Sequence, residues 1–340
     1  MFSSCGFEDT TEPRLIETIV EESVGYSIHT AVYFDFFDTL LYLRIFAQSR
    51  EEFENYASAI YNEVERLHKL FDIFNEYEGI SNIKTINQMA GIAPVVVDED
   101  IFSLIEFGIE AYNHSGGAVN ITMGGVLALW RDFLQGKTDS VPSIEVLEAY
   151  ALLSNIKDIV LAQDESSVFL TRAGMRLDVG AFAKGYALEK VAALAIDLGL
   201  QSGIINMGGD MRLIGAPLDG RRAWVVGVEN PLSDETGHFG TVEALDVAIA
   251  TSGDYKRYTV YNDNKYHHII DPNTLMPAQN FSSVTIIHPD ARQAEFLSTA
   301  AFVLPLDDAV AVVKNFGGEG LWILPDGSYF FTDGFNLIKD

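Results

Sequence analysis

The sequence holds 340 residues, 48% of them hydrophobic and 21% charged, with a formal net charge of −27 from 49 acids and 22 bases. That is a globular chain long enough for one large domain or two intertwined subdomains, and no apolar run reaches the ~18 residues of a membrane helix. The acidic excess excludes nucleic acid as a partner, which needs a basic face. An anionic ligand must be held by local dipoles, a metal or a few bases.

The start, Phe2-Ser3-Ser4-Cys5-Gly6, carries the one cysteine, so no intrachain disulfide exists. A small-residue run ending in Cys is similar to the end of a bacterial lipoprotein signal. On that reading Cys5 is a possible lipid anchor and the protein is bacterial, extracytoplasmic and membrane-anchored. Read as an ordinary tail cysteine, Cys5 leaves a cytoplasmic location open. Residues 7–30 are acidic and aperiodic, so 1–30 is assigned to an N-terminal arm.

Val32–Thr39 and Leu40–Ala47 are aromatic and aliphatic and predict two strands around a turn at Asp38. Residues 51–75 predict a helix, because Phe53, Ala57, Ile60, Val64, Leu67, Phe71 and Phe74 recur at three- and four-residue steps. A second amphipathic helix covers 98–113 and stops at His114-Ser115-Gly116-Gly117. Further helices are expected at 126–134, at Ser143–Ser154 with Ser143 as cap, and at 184–198, 290–303 and 307–316. Strands are expected at Val168–Leu170, Met175–Asp178, Ile204–Met207, Met211–Ile214, Ala223–Glu229, Ala244–Ala250 and Val284–His288. Leu321–Leu324 and Tyr329–Phe331 form a closing hairpin. Strands and helices do not alternate strictly. The fold class is therefore α+β: a single large domain of two intertwined subdomains, mostly antiparallel sheets flanked by helices.

Five segments carry chemistry. In Asp178–Tyr186 a strand ends in a small-residue turn and enters a helix whose first turn holds Lys184. Free N–H groups and a cation there are phosphate-binding logic, although a tight turn with an exposed lysine would look the same. Asn206-Met207-Gly208-Gly209-Asp210 is a hairpin turn that a nucleotide could lie against. Glu295 and Thr299 stand four apart on a helix that should be largely buried, where a carboxylate needs a partner; a hard cation would serve. In Thr251–Tyr255 with His267–Thr274, His268 is a candidate base and Asp254 or Asp271 could orient it. His267 and His268 point to opposite faces of a strand, so only one of them can serve a site. Gly116–Gly125 could wall a flat ring such as isoalloxazine or adenine.

In order and spacing these segments resemble the ApbE-like FAD:protein FMN transferases, over nearly the whole chain from about Phe34 on. Tyr77, Ser81, Ile83 and Asn87 resemble the family's "S-x-I-x-x-x-N" preceded by a tyrosine. Gly117 to Gly124 resembles "G-A-F-D-x-T-x-G", and Asp178 to Ala187 matches "D-x-G-x-x-A-K-G-Y-A". Asn206–Asp210, Thr251–Tyr255 and His268–Leu275 correspond to "N-x-G-G-D", "T-S-G-x-Y" and "H-x-I-D-P-x-T-G".

The resemblance implies an ApbE-like, T-fold-related flavin transferase domain over 31–340. It implies an enzyme using FAD as substrate and Mg²⁺ as cofactor. A Ser or Thr hydroxyl of an acceptor protein attacks the FMN-side phosphorus and AMP leaves. The acceptor would be an FMN-carrying subunit or domain of an electron-transport complex. By carry-over, the Ala181 carbonyl, Glu295 and Thr299 hold the metal. Phe37, Tyr77, Ala118, Val119, Asn120, Lys184 and Ile269 bind FAD. An FAD pyrophosphatase and a non-catalytic flavin carrier are the alternatives.

The chain departs from the pattern at four places. Glu295 stands where the metal ligand is usually Asp. Asn120 replaces the Asp after "G-A-F". Leu275 replaces the final Gly of the "D-P-x-T-G" turn, and leucine tolerates φ > 0 poorly, so that turn is expected to differ. Phe37-Asp38-Thr39 stands for Met-Gly-Thr.

Overall fold

The computed structural model describes residues 20–23, 25–233 and 237–339. The first third contains β1 (Val20–Ser23), β2 (Tyr26–Phe36), β3 (Thr39–Ala47), α1 (Arg50–Phe71), α2 (Ile83–Gln88), β4 (Val95–Val96) and α3 (Glu99–His114). There follow α4 (Gly124–Leu134), α5 (Ile144–Ala151), β5 (Ile159–Ala162), β6 (Ser167–Leu170), α6 (Ala183–Asp197), β7 (Gly203–Met207), β8 (Asp210–Ile214) and β9 (Trp224–Glu229). The rest comprises β10 (His238–Ala244), β11 (Ala248–Gly253), β12 (Tyr258–Tyr261), β13 (Asn264–His267), β14 (Ser283–His288), α7 (Ala291–Val303), α8 (Leu306–Asn315), β15 (Glu319–Ile323), β16 (Tyr329–Phe331) and β17 (Leu337–Ile338).

The scaffold is a nine-stranded sheet in the order β1-β2-β3-β7-β8-β11-β14-β15-β16, antiparallel at every pairing. It joins distant parts of the chain: Leu41 of the first hairpin pairs with Met207. Period-two alternation then decides what covers each face. Leu43, Ile45, Ala250, Val284, Ile286 and Trp322 enter one core with helices α1, α3, α6 and α7. Ile249, Leu321 and Ile323 face the other way, into a core with Trp224, Val226 and Val242 of the small β17-β10-β9 sheet. A third cluster joins Met123, Val126, Trp130, Phe133 and Leu147 to Ile270 and Leu275. The observed class is α+β in a single domain.

Several expectations need correction. The assigned arm of 1–30 is too long, because Val20–Ser23 pairs with the Tyr26-to-His29 backbone as an edge strand. An edge strand needs only backbone pairing, so its acidic composition concealed it. Cys5 and the rest of residues 1–19 lie outside the described residues. The first helix ends at Phe71 rather than 75. There the Asp72 carboxylate accepts the N–H groups of Phe74 (2.6 Å) and Asn75 (3.1 Å) and turns the chain, leaving Phe74 exposed instead of on the buried face. Met175–Asp178 is not a strand. It runs extended between Asn87, whose amide brackets Leu177 (2.6 and 3.0 Å), and the Ile121 carbonyl, which accepts from Asp178 N–H (2.8 Å). Ala244–Ala250 divides at a turn holding Asp246 at φ 50, sending β10 to the small sheet and β11 to the large one.

Candidate active site

The turns at one end of the large sheet open onto a cleft of two adjoining chambers, about 800 and 740 Å³. Both are lined by Asp38, Thr39, Arg131, Asp178, Gly180, Lys184 and Arg257. The first chamber adds Phe37, His68, Phe71, Asp72, Phe74 and Asn75. The second adds Ala118, Val119, Asn120, Ala181, His268, Ile269, Glu295 and Thr299, with Trp130 and Tyr255. The turns interlock: a Cβ at Gly208, which sits at φ 64, would strike Thr39 Oγ1.

Asp178 enters the turn before α6 buried and caps it by accepting the Gly180 N–H (3.0 Å). Its other oxygen accepts from Arg131 (2.5 Å), whose guanidinium stacks over the Phe74 ring at 4.7 Å. No side chain caps the N-terminus of α6, which begins at Ala183. Lys184 Nζ, one residue on, contacts Asp210 (2.5 Å) and Glu295. Burial opposes the Lys184 charge, but Asp210 and then Glu295 outweigh it and hold its pKa above the ordinary range. Burial, together with the Asp210 charge, raises the Glu295 pKa against the pull of Lys184. Asp210 also accepts the Thr251 N–H (3.2 Å), tying the Gly-Gly-Asp turn to β11.

Two carboxylates share the half-buried Lys184 ammonium, so acids outnumber bases in the cluster. Glu295 additionally accepts the Gly185 N–H (2.5 Å), a close approach in which any Cβ on Gly185 would meet the Ala291 carbonyl. Beside it Thr299 Oγ1 donates to the Ala181 carbonyl (3.3 Å) and lies 3.4 Å from Ser252 Oγ. Among the described residues no group of three or more His, Cys, Asp or Glu is arranged for a metal, so a site must draw on backbone and hydroxyl oxygens. Ala181, Thr299 and Glu295 fit a hard divalent cation on that account: all are oxygen donors on one chamber, where acids outnumber bases.

His268 faces the second chamber, and its Nδ1 lies 3.3 Å from the Arg257 carbonyl. The surrounding protein first, and the Arg257 charge second, push its pKa down to about 4, so the ring is neutral at pH 7. Neither carboxylate assigned to orient it does so. Asp254 pairs with Lys265 (2.9 Å), and Asp271 closes its own turn by accepting Asn273 N–H (2.8 Å) and the Thr274 hydroxyl (3.3 Å). Both are local demands that a backbone carbonyl at His268 leaves unopposed. His267 points into the core and contacts the Ala278 carbonyl (2.6 Å), which selects His268 for the cleft.

Phe37, Ala118, Val119, Asn120, Lys184 and Ile269 all line the cleft. Tyr77 lies behind its wall: the hydroxyl donates to Asp72 Oδ2 (2.8 Å), and burial and that carboxylate push the phenol up to about 12. Asn120 receives the Thr122 N–H (3.0 Å) and hydroxyl (2.6 Å) and donates to the Ser154 carbonyl (3.0 Å), which a charged Asp could not do in full. The expected departure at Leu275 does not occur. Leu275 keeps φ 61, buried in the third cluster, with its carbonyl accepting from Trp130 Nε1 (2.8 Å). Arg131, Asp178 and Arg257 line the cleft without having been expected there from the sequence. Asp178 stood inside a quoted motif, but Arg131 and Arg257 had no local signal.

The ApbE family model matches residues 30–322, most of the chain. The chain belongs to the ApbE family. The FAD:protein FMN transferase of Treponema pallidum is 31% identical over 281 residues, covering 76% of this chain and 77% of that protein. One from Klebsiella pneumoniae is 30% identical over 263 residues, covering 77% and 79%. The crystal structure of the ApbE protein from Thermotoga maritima superposes with a TM-score of 0.83 at 32% identity, covering 92% of this chain and 99% of that one. The flavin transferase ApbE of Vibrio cholerae, 22% identical with a TM-score of 0.76, shares the fold. In this ApbE-family chain the cleft lies where the family motifs converge.

Proposed function

We propose that the chain transfers the FMN half of FAD to a Ser or Thr hydroxyl of an acceptor protein and releases AMP, with Mg²⁺ as cofactor. One observation carries this reading: Lys184, Arg131 and Arg257 stand on the wall shared by two chambers, in a chain of net charge −27. A pyrophosphate flanked by two flat ring systems matches that layout, with the anion on the shared wall and a ring on each side. The names of the relatives support it.

The residues divide the work as follows. Arg257, which bonds a backbone carbonyl rather than a carboxylate, offers its positive charge to the pyrophosphate, and Arg131 reaches it from its seat on Asp178; Lys184 stands between Asp210 and Glu295 and ties the phosphate wall to the cation-holding side. His268, neutral and open to the cleft, accepts the proton of the acceptor hydroxyl. The hydroxyl oxygen bonds the FMN-side phosphorus, the pyrophosphate P–O bond breaks, and AMP leaves with the bond electrons. Ala181, Glu295 and Thr299 would hold Mg²⁺, which would supply charge neutralisation to the phosphate oxygens. The acceptor is proposed to be an FMN-carrying subunit or domain of a membrane electron-transport complex. The enzyme is proposed to act outside the bacterial cytoplasm, anchored through Cys5.

In-gel flavin fluorescence of a denatured acceptor domain after incubation with the chain, FAD and Mg²⁺, with AMP measured in parallel, tests the reaction. The expected result is a fluorescent acceptor band that EDTA abolishes, with AMP in equal amount. AMP without a band would replace transfer by hydrolysis. Bound FAD with neither product would replace both by flavin carriage.

A further inference from the structure

The β2–β3 connection is a two-residue loop closed by the Phe36–Thr39 pair, and both of its residues are left-handed: Phe37 at φ 50 and Asp38 at φ 54. Asn-Gly suits such a loop. A bulky Phe does not, so its conformation must be imposed by its surroundings. Two contacts impose it. The Phe37 N–H donates to His68 Nδ1 on α1 (3.3 Å), and Arg257 donates to the Asp38 carbonyl (3.3 Å). The His68 ring also meets Phe37 edge-on at 5.4 Å and Phe36 at 6.0 Å. All but Phe36 line the first chamber.

We propose that His68, in its neutral form, is a positioning residue that holds the Phe37–Asp38 turn as a wall of the flavin cleft, and that its protonation frees the turn and weakens FAD binding. The proposal rests on the flavin reading above. The donor–acceptor arithmetic is strict: Nδ1 accepts from Phe37 only if the ring carries its one proton on Nε2, and an imidazolium has no acceptor. Burial keeps the ring neutral to below the ordinary 6.5, outweighing Asp72, Asp38 and Glu65, which favour the proton; Lys69 opposes it. Arg131, Asp178, Lys184 and Arg257 face the same chamber.

The test compares wild type with His68→Asn, whose amide oxygen can replace the acceptor without titrating, and with His68→Phe, which has none. Two quantities are read between about pH 8 and pH 5: protection of the Phe37 amide against hydrogen exchange, corrected for intrinsic rate, and FAD affinity by equilibrium dialysis. In wild type both should fall together below pH 6.5, affinity by about fivefold for one hydrogen bond. His68→Asn should stay flat, and His68→Phe should be low throughout. Equal amide protection in wild type and His68→Phe would overturn the clamp. So would one pH profile shared by wild type and His68→Asn, or lost protection without lost affinity. No FAD uptake by wild type at any pH would overturn the positioning role along with the flavin reading; intact amide behaviour would then locate the failure in the flavin reading.

Discussion

Leu275 offers a sharp measurement, because two opposing terms act on one residue. Its side chain is 7% exposed and packs in the cluster of Trp130, Phe133 and Leu147, so Leu275→Ala should remove about 2–5 kcal/mol through lost burial and the cavity left. Ala keeps the left-handed strain of φ 61, worth roughly 1–2 kcal/mol in an L-residue. Leu275→Gly loses the β-carbon as well, and with its backbone entropy the ordinary Gly-for-Ala cost is about 0.5–1 kcal/mol, but it sheds the strain. The Gly variant should therefore equal or exceed the Ala variant, by roughly 0.5–1 kcal/mol at the centre of these ranges. Urea unfolding followed by circular dichroism and by tryptophan fluorescence reads the difference, with Trp130 reporting locally through its bond to the Leu275 carbonyl. An Ala variant more stable than the Gly variant by ~1 kcal/mol, the ordinary order in extended or helical backbone, would refute a strained turn.

Lys184→Met should destabilise by about 3–5 kcal/mol, since it strands Asp210 and Glu295 in a buried cluster. The Glu295 pKa is raised on folding, so the folded variant binds the extra proton and urea midpoints should be higher at pH 5 than at pH 8. His268 has its pKa lowered on folding to about 4, which gives the opposite sign: its contribution to stability is complete above 6.5 and declines as pH falls towards 4. His268→Asn should flatten that part of the pH–stability curve, by less than a closed-in imidazole would give because the ring opens on the cleft, while abolishing transfer. Gly208→Ala and Gly79→Ala share a positive φ, but only Gly208 would drive a Cβ into Thr39. Thermal melts should show Gly208→Ala worse by roughly 1–3 kcal/mol, with FAD binding weakened alongside. Equal melts would mean the two turns do not interlock.

Much of this molecule was legible in the sequence, and what was legible was local. Helix α1 follows from apolar residues at three- and four-residue steps, and the turn before Lys184 from small residues between Asp178 and a helix. Both depend on neighbours a few residues away. What stayed hidden depended on partners far along the chain. Val20–Ser23 is a strand because His29 and its neighbours lie alongside it, not because of its own composition. Phe74 leaves the apolar face because Asp72 turns the backbone one residue after the helix ends.

The candidate site divides in the same way. The residue types for holding a phosphate, a cation and a proton could be named from motif order, since short-range chemistry fixes them. Which carboxylates serve them could not. Asp210, rather than Asp254 or Asp271, stands in the cluster with Lys184 and Glu295, because β7, β8 and β11 meet helices α6 and α7 there. The same convergence brings Arg131 and Arg257 to the cleft, from a helix and from the segment entering a hairpin far apart in the chain. A side chain's chemistry is written in its own atoms. Its pKa, its partner and the cavity it faces are set by whichever distant segment the fold packs against it.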